Sequence, residues 1–283
     1  MNSEKNIMQH NKPMVAISYF ILILATLVVA YPLLFLFFTS LKNTQEFFTN
    51  LFGIPGNPKW GNYSAAWTTG HLGSYFFNSM FVTITSVILT VILSTLGGYA
   101  LGKMKLPHSE TIIMVFMVFN FIPGIAIYIS LYSMMAKMRM LQNFTALILP
   151  YTAWQIPFSM YIFKKFFETV PSDVIESARI DGCSEMGVFM KIVLPLVTPA
   201  IATVTVFTFI SNWGELMWAQ ITTASSMNMK TLPVGLLNFK TEMGVEWGPY
   251  AAGLCIVTIP LLLVFSYFQK YFVAGLTQGA VKG

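Results

Sequence analysis

Six stretches of this chain stay apolar for about twenty residues at a time, and about 20 residues are what a helix needs to cross a hydrocarbon layer. They lie at residues 14–38, 75–101, 111–134, 144–163, 193–213 and 250–273. Lipid offers no partner to backbone N–H and C=O groups. Each run must therefore close its hydrogen bonds on itself and be helical. The expected fold is all-α: a polytopic membrane protein with six transmembrane helices, forming a single transmembrane domain over residues 1–283. Charged residues make up only 10% of the chain, against about 25% in soluble domains. Pro32, Pro123, Pro150, Pro157, Pro195, Pro199 and Pro260 fall in or beside these runs and predict kinks or broken ends. The first run is too long for a cleavable signal and lacks a small-residue cleavage site.

Basic residues give an orientation. With the N-terminus inside, the inner segments hold Lys5, Lys12, Lys103, Lys105, Lys164, Lys165, Arg179, Lys191, Lys270 and Lys282. The outer segments hold Lys42, Lys59, Lys137, Arg139, Lys230 and Lys240. Ten bases against six put both termini and the 164–192 loop in the cytoplasm. The bases are spread between apolar runs instead of clustered, which speaks for membrane orientation and against nucleic acid as a partner. The outer segment 39–74, rich in Gly, Pro, Asn and Trp, reads as a folded loop.

Several chemistries are excluded or disfavoured. Gly97 to Lys103 fits G-x-x-x-x-G-K, but Met104 stands where a Mg²⁺-holding hydroxyl is needed, and the run ends a membrane helix. Close helix packing through Gly98 and Gly102 is the better use. No acidic or basic residue lies in the middle of a run, which argues against a self-powered ion-coupled carrier. H-E-x-x-H and G-x-S-x-G are absent. His10, His71 and His108 fall in separate segments, and Cys183 and Cys255 are far apart, so neither catalysis, a metal nor a cofactor is expected. Asn120 and Tyr128 in the third run, Tyr151, Trp154 and Gln155 in the fourth, and Asn212 ending the fifth are candidates for a solute pathway. Amides, hydroxyls and flat apolar faces suit an uncharged polyhydroxylated solute. Interhelical hydrogen bonding explains each of them individually as well.

One long polar stretch interrupts the apolar pattern: residues 171–195, PSDVIESARIDGCSEMGVFMKIVLP, with four of the eleven acidic residues. It reads as two short helices. Pro171 suits a first turn, Val174, Ser177, Ala178 and Asp181 share a face, and Gly182 is a natural C′ residue with positive φ. Ser184 caps a second helix, whose Met186, Phe189, Met190 and Val193 form an apolar stripe.

Glu176-Ser177-Ala178, three residues, Gly182, nine residues and Ile192-Val193-Leu194-Pro195 resemble the EAA loop of bacterial ABC importer permeases. Ser177 replaces the middle alanine of that pattern. Asn78-Ser79, Asn212-Trp213, Leu232-Pro233-Val234-Gly235-Leu236 and the ending from Gly275 to Gly283 are similar to the carbohydrate branch, specifically the smaller six-span permease subunit of maltose-type systems.

The resemblance implies a type I ABC importer permease fold in the bacterial cytoplasmic (inner) membrane. It implies that Glu176, Ser177, Ala178, Asp181 and Gly182 couple the chain to a separate ATPase, and that Gly279 and Lys282 in the tail reach toward it. The implied partners are a second, different permease subunit, two copies of an ATP-binding subunit and an external solute-binding protein. An ATPase-independent channel or facilitator for a small neutral solute is the alternative. An ordinary amphipathic loop between two spans is the plain reading of 164–192.

Overall fold

The computed structural model describes residues 12–280 apart from 105, 142, 225, 242 and 243. Side chains at 12, 13, 241 and 272–280 lie outside that description. The chain divides into two compact units.

One unit joins the described residues up to Gly70 with Asn238–Ile256. Its first helix, α1 (Lys12–Ser40), runs through Pro32 and buries nothing over its apolar window, as a lipid-facing helix would. The segment after it is a folded loop, as its composition predicts. Helix α2 (Thr44–Thr49) is capped by Asn43, whose Oδ1 accepts from the Glu46 N–H at 2.7 Å. Lys42 is buried, and its ammonium donates to the carbonyls of Asn50 (2.6 Å) and Leu51 (3.1 Å). Asn62, in α3 (Gly61–Trp67), donates to the Ser40 and Lys42 carbonyls at 2.8 and 2.9 Å. A short antiparallel ladder, β1 (Lys240–Thr241) with β2 (Gly244–Val245), completes the unit.

The second unit joins His71–Leu237 with the described residues from Val257 on. Its spine is α4 (Leu72–Lys103) lying along α7 (Thr145–Thr169). The two backbones come close at Gly98 and Gly102. A Cβ on Gly98 would sit 2.6 Å from Phe163 Cβ and 3.0 Å from Lys164 N, and one on Gly102 would sit 3.1 Å from Lys164 O. The Gly-rich run is thus a packing seam, as i, i+4 glycines in membrane helices commonly are.

Between the spine helices the chain makes α5 (Ser109–Phe119) and α6 (Gly124–Lys137), which meet at 89°. After α7 come α8 (Ser172–Ile180), α9 (Glu185–Leu196) and α10 (Thr198–Trp213), the last two meeting at 76°. Helix α10 packs on both α4 and α7. Two shorter helices come next, α11 (Met217–Thr223) and α12 (Leu232–Leu236), before α13 (Trp247–Ala280), which runs through Pro260. Asn78 donates to the Asn228 and Lys230 carbonyls, both at 2.9 Å, and Ser79 Oγ accepts from the Leu232 N–H at 2.7 Å. Gly235 lies against the Tyr75 ring. Two motifs remote in sequence therefore hold each other.

The count of straight spans differs from six. Among the described residues, three helices are individually long and apolar enough to cross a membrane, Met14–Ser40, Leu72–Lys103 and Trp247–Tyr271, and the two bent pairs bring the number to five at most. The third run breaks at Pro123 and the fifth at Val197, just before Pro199, because proline cannot donate to the preceding turn. Pro150 and Pro157 lie inside α7, which continues through them. That fourth run falls outside the count; several of its polar residues, Thr152 and Ser159 among them, are buried in the unit.

Gly98→Ala should lower stability by about 1–3 kcal/mol, the usual cost of an overpacked contact. Gly61→Ala, where a Cβ meets nothing within 4 Å, should be neutral. Thermal unfolding of the two purified variants in detergent checks the difference, and equal midpoints would contradict the tight seam.

Candidate functional site

The 171–195 stretch forms the two predicted helices. Val170 and Pro171 are extended, with Pro171 immediately ahead of α8. Helix α8 then ends in a Schellman motif: Cys183 N–H donates to Ala178 O and Gly182 N–H to Arg179 O, both at 3.0 Å. Gly182 has φ +84°, as its place at C′ predicts. Ser184 caps α9, its Oγ accepting from the Gly187 N–H at 3.2 Å.

Of the face shared by Val174, Ser177, Ala178 and Asp181, only Ala178 is buried. Ile175 and Ala178 enter a core with Tyr99, Phe163, Phe167 and Phe189, while Val174, Ser177 and Asp181 face outward. Hydrophobicity decides here: Ile175 is larger and more apolar than Ser177 or Asp181. Glu176 and Asp181 are exposed and form no ion pair among the described residues. Ile180 beside them is 86% exposed. The outer surface of α8 and its C-cap thus carries three carboxylates without an ion pair among the described residues, Asp173, Glu176 and Asp181, beside a bare isoleucine.

The stripe expected on α9 is also shifted. Val188, Phe189 and Val193 are buried, but Met186 and Met190 are exposed. Residues Phe189–Val193 form a π turn. Its i→i+5 spacing stacks Val188 over Val193 and turns Met190 away from the core, while Met186 lies ahead of it in a regular turn.

Ion pairs unread in the sequence brace the loop. Arg179 Nε donates to Glu185 Oε1 at 2.7 Å and its second nitrogen to Oε2 at 3.0 Å, so the end of α8 is forked to the start of α9. The shared hydrogen bonds raise the Arg179 pKa and lower that of Glu185. At the base, Lys164 is 1% exposed and lies between Glu110, at 2.5 Å, and Glu168. Lys165 pairs with Glu168 Oε2 at 3.0 Å. Burial disfavours the Lys164 ammonium, but the two carboxylates outweigh that and leave its pKa raised. Burial likewise works against the Glu168 charge and is outweighed by Lys164 and Lys165, so its pKa is lowered. Lys103, the end of the Gly-rich run, donates to Val170 O at 2.5 Å and pins the lead-in to α8.

Of the pathway candidates, three meet. Asn120, Tyr128 and Trp154 line a cleft of about 530 Å³ at the bend between α5 and α6, with Phe119, Ile122, Gly124 and Ile127. The other three do not line it. Tyr151 is buried and donates to Glu215 Oε2 at 2.7 Å. Gln155 donates to Ser211 Oγ at 2.7 Å. Asn212 is buried, and its Nδ2 has no hydrogen-bond partner among the described residues. Behind the cleft, Tyr128 and Trp154 contact Trp218, with ring centroids 5.4 and 6.1 Å away. Glu215 also accepts from the Trp218 and Ala219 N–H groups and so starts α11. Glu215 and Trp218 escaped the sequence reading, although an acidic residue just before a short apolar helix is a capping signal. Gly279 falls in the last turn of α13, and Lys282 lies outside the described residues. No three His, Cys, Asp or Glu side chains among the described residues could hold a metal.

Residues 94–278 match the family described as the binding-protein-dependent transport system inner membrane component. The chain belongs to that family. It is 32% identical over 254 residues to the sulfoquinovosyl glycerol transport system permease protein SmoH of Agrobacterium fabrum, covering 89% of each chain. It is 31% identical over 260 residues to the arabinooligosaccharides transport system permease protein AraQ of Halalkalibacterium halodurans, covering 90% of this chain and 92% of that one. Its fold is that of a chain in the crystal structure of a bacterial ABC transporter involved in the import of alginate, with TM-score 0.77 and 22% identity over 93% of this chain and 98% of the other. The all-α architecture is therefore the type I ABC importer permease fold. The chain is a membrane permease subunit working with an ATPase and a binding protein, not an enzyme and not an ATPase-independent channel.

Gly182→Val should loosen the loop, because a β-branched residue at φ +84° is strained by about 1–3 kcal/mol. Gly182→Asn should be milder, since Asn tolerates the left-handed region. Amide hydrogen exchange at Arg179–Gly187 checks this; equal protection in wild type and Gly182→Val would contradict it.

Proposed function

We propose that this chain forms half of the translocation pathway of a carbohydrate importer and is driven through its 164–192 loop. The observation that carries the reading is the outer face of α8. Glu176, Ser177, Asp181 and Ile180 point away from a helix whose other side is seated in the chain's own core. Ala178 and Gly182 serve the same element from within, one as a packing residue and one as its turn. A charged and apolar surface on a rigid mount is what a docking helix needs.

In this reading the complex contains a second, different permease and two copies of the ATP-binding subunit, beside the external solute-binding protein. ATP binding closes the ATPase pair and moves α8, and the spans tilt between inward- and outward-open states. The whole chain acts as one permease domain with six spans in the bacterial inner membrane, both termini in the cytoplasm, and the Gly279–Lys282 tail near the ATPase. A sugar or sugar derivative is the favoured solute. Two relatives are named for sugar-containing solutes, and the cleft offers an amide, Asn120, beside the flat faces of Tyr128 and Trp154.

Two experiments test this. Glu176→Ala and Asp181→Ala should each insert normally but weaken ATPase co-purification about ten- to a hundredfold, if each loses about 1.5–3 kcal/mol of charged contact. Full ATPase binding and solute uptake in both would overturn the coupling role. For orientation, Ser172→Cys in intact cells should resist an impermeant thiol reagent that labels Ser64→Cys. Labelling of Ser172→Cys from outside would reverse the topology.

A further inference from the structure

The cluster at the base of the loop has a division of labour that the docking surface does not explain. Lys164 and Glu168 are one turn apart on the same helix, so their pairing is internal to α7. Glu110 is the partner that comes from elsewhere: it sits in the first turn of α5 and reaches Lys164 Nζ at 2.5 Å. Lys164 is 1% exposed, whereas Glu110 is 68% exposed. The carboxylate therefore gives up part of its hydration to hold a buried cation that already has one counter-ion. Ile113, one turn further along α5, is buried, and α5 packs on α7.

Helix α5 has two functional ends. Its N-terminal turn holds Glu110, whose partner Lys164 lies one turn before Glu168 on α7, and Pro171 and α8 come shortly after Glu168. Its C-terminal end is Phe119, and Phe119 and Asn120 line the cleft. Eleven residues at about 1.5 Å each make a rod of about 16 Å between the two.

We propose that Glu110 is a positioning residue for transport: its pair with Lys164 ties the foot of α5 to the base of the coupling loop, so that α8 and the cleft wall move as one body. The inference rests on the reading of 164–192 as the coupling loop. Cutting the pair at Glu110 leaves Lys164 neutralised by Glu168, so the fold has no uncompensated buried charge. The ionic link between the foot of α5 and the base of the loop is lost while the packing of α5 on α7 remains, and the transfer of movement from loop to cleft weakens with it. A continuous body of packed helix and ion pair is the kind of physical route along which two sites are coupled.

The test uses the full transporter, with both permeases, the ATPase and the binding protein, reconstituted in liposomes. Uptake and ATP hydrolysis are measured together for wild type, Glu110→Gln and Glu110→Asp. Glu110→Gln should assemble and hydrolyse ATP, but move at least about fivefold less solute per ATP, the low end of coupling between two sites. Glu110→Asp, which keeps the charge, should recover most of that ratio. A purely structural role would lower uptake and hydrolysis in proportion, leaving the ratio unchanged, and would overturn the proposal. So would a Glu110→Gln complex that fails to assemble. Gly182→Val in the same assay separates this from the reading beneath it. Loss of uptake in Gly182→Val with an unchanged ratio in Glu110→Gln rejects the tie alone; full uptake in Gly182→Val rejects the coupling loop itself.

Discussion

The contact on which the second unit is built is the touching of two backbones. At Gly98 and Gly102 the helix Leu72–Lys103 lies directly on Thr145–Thr169, against the backbone of Lys164 and the Cβ atoms of Phe163 and Phe167. Inside lipid there is no hydrophobic drive to bring helices together, so close approach and the dispersion contacts it allows must do it. Both candidate regions of the unit, the loop and the cleft, hang from this pair. Its lower end supplies Tyr99, Phe163 and Phe167 as the bed for Ile175 and Ala178. Lys103 and Lys164, on either side of the seam, then hold the lead-in to the loop.

The loop itself combines two mechanical features. A Schellman turn sets where α8 stops, and a two-pronged Arg179–Glu185 bridge sets the direction in which α9 leaves it. The bridge is solvent-exposed and contributes little to stability on that account. Its value is geometric, since two parallel hydrogen bonds fix an angle where one would leave a swivel. The cleft is organised differently. Its wall comes from a bend at Pro123 and its floor from aromatic rings, so its shape depends on one proline and on how Trp154, Tyr128 and Trp218 stack.

Much of this was legible in the sequence because it rests on local rules. Gly182 needs a positive φ, Ser184 is a cap, and Gly98 and Gly102 are four residues apart; each is read from a few neighbouring letters. The family pattern likewise lies within twenty residues, and it located the loop. The features that escaped depend on distance or on broken periods. Glu110, the partner that Lys164 finds outside its own helix, and Glu215, the partner of Tyr151, lie 54 and 64 residues away in the chain, and no spacing rule points to them. The bends in the third and fifth runs were signalled by Pro123 and Pro199, but they left hydropathy unchanged, so each bent run still counted as one straight span. A period of 3.6 puts Met190 on one stripe with Phe189 and Val193, but Phe189–Val193 does not keep that period.

That segment, Phe189–Val193, carries one more residue than an α turn would. In a uniform helix the face that seats α9 on the loop core would dictate the face presented by every residue after it. The surplus residue rotates the downstream part by about 100°, the angle of one residue in a helix of 3.6 per turn. It acts as a phase shifter between two packing problems. The end seated on the loop core can satisfy Tyr99 and Phe167 while the other end meets its own neighbours, and neither sequence has to compromise for the other.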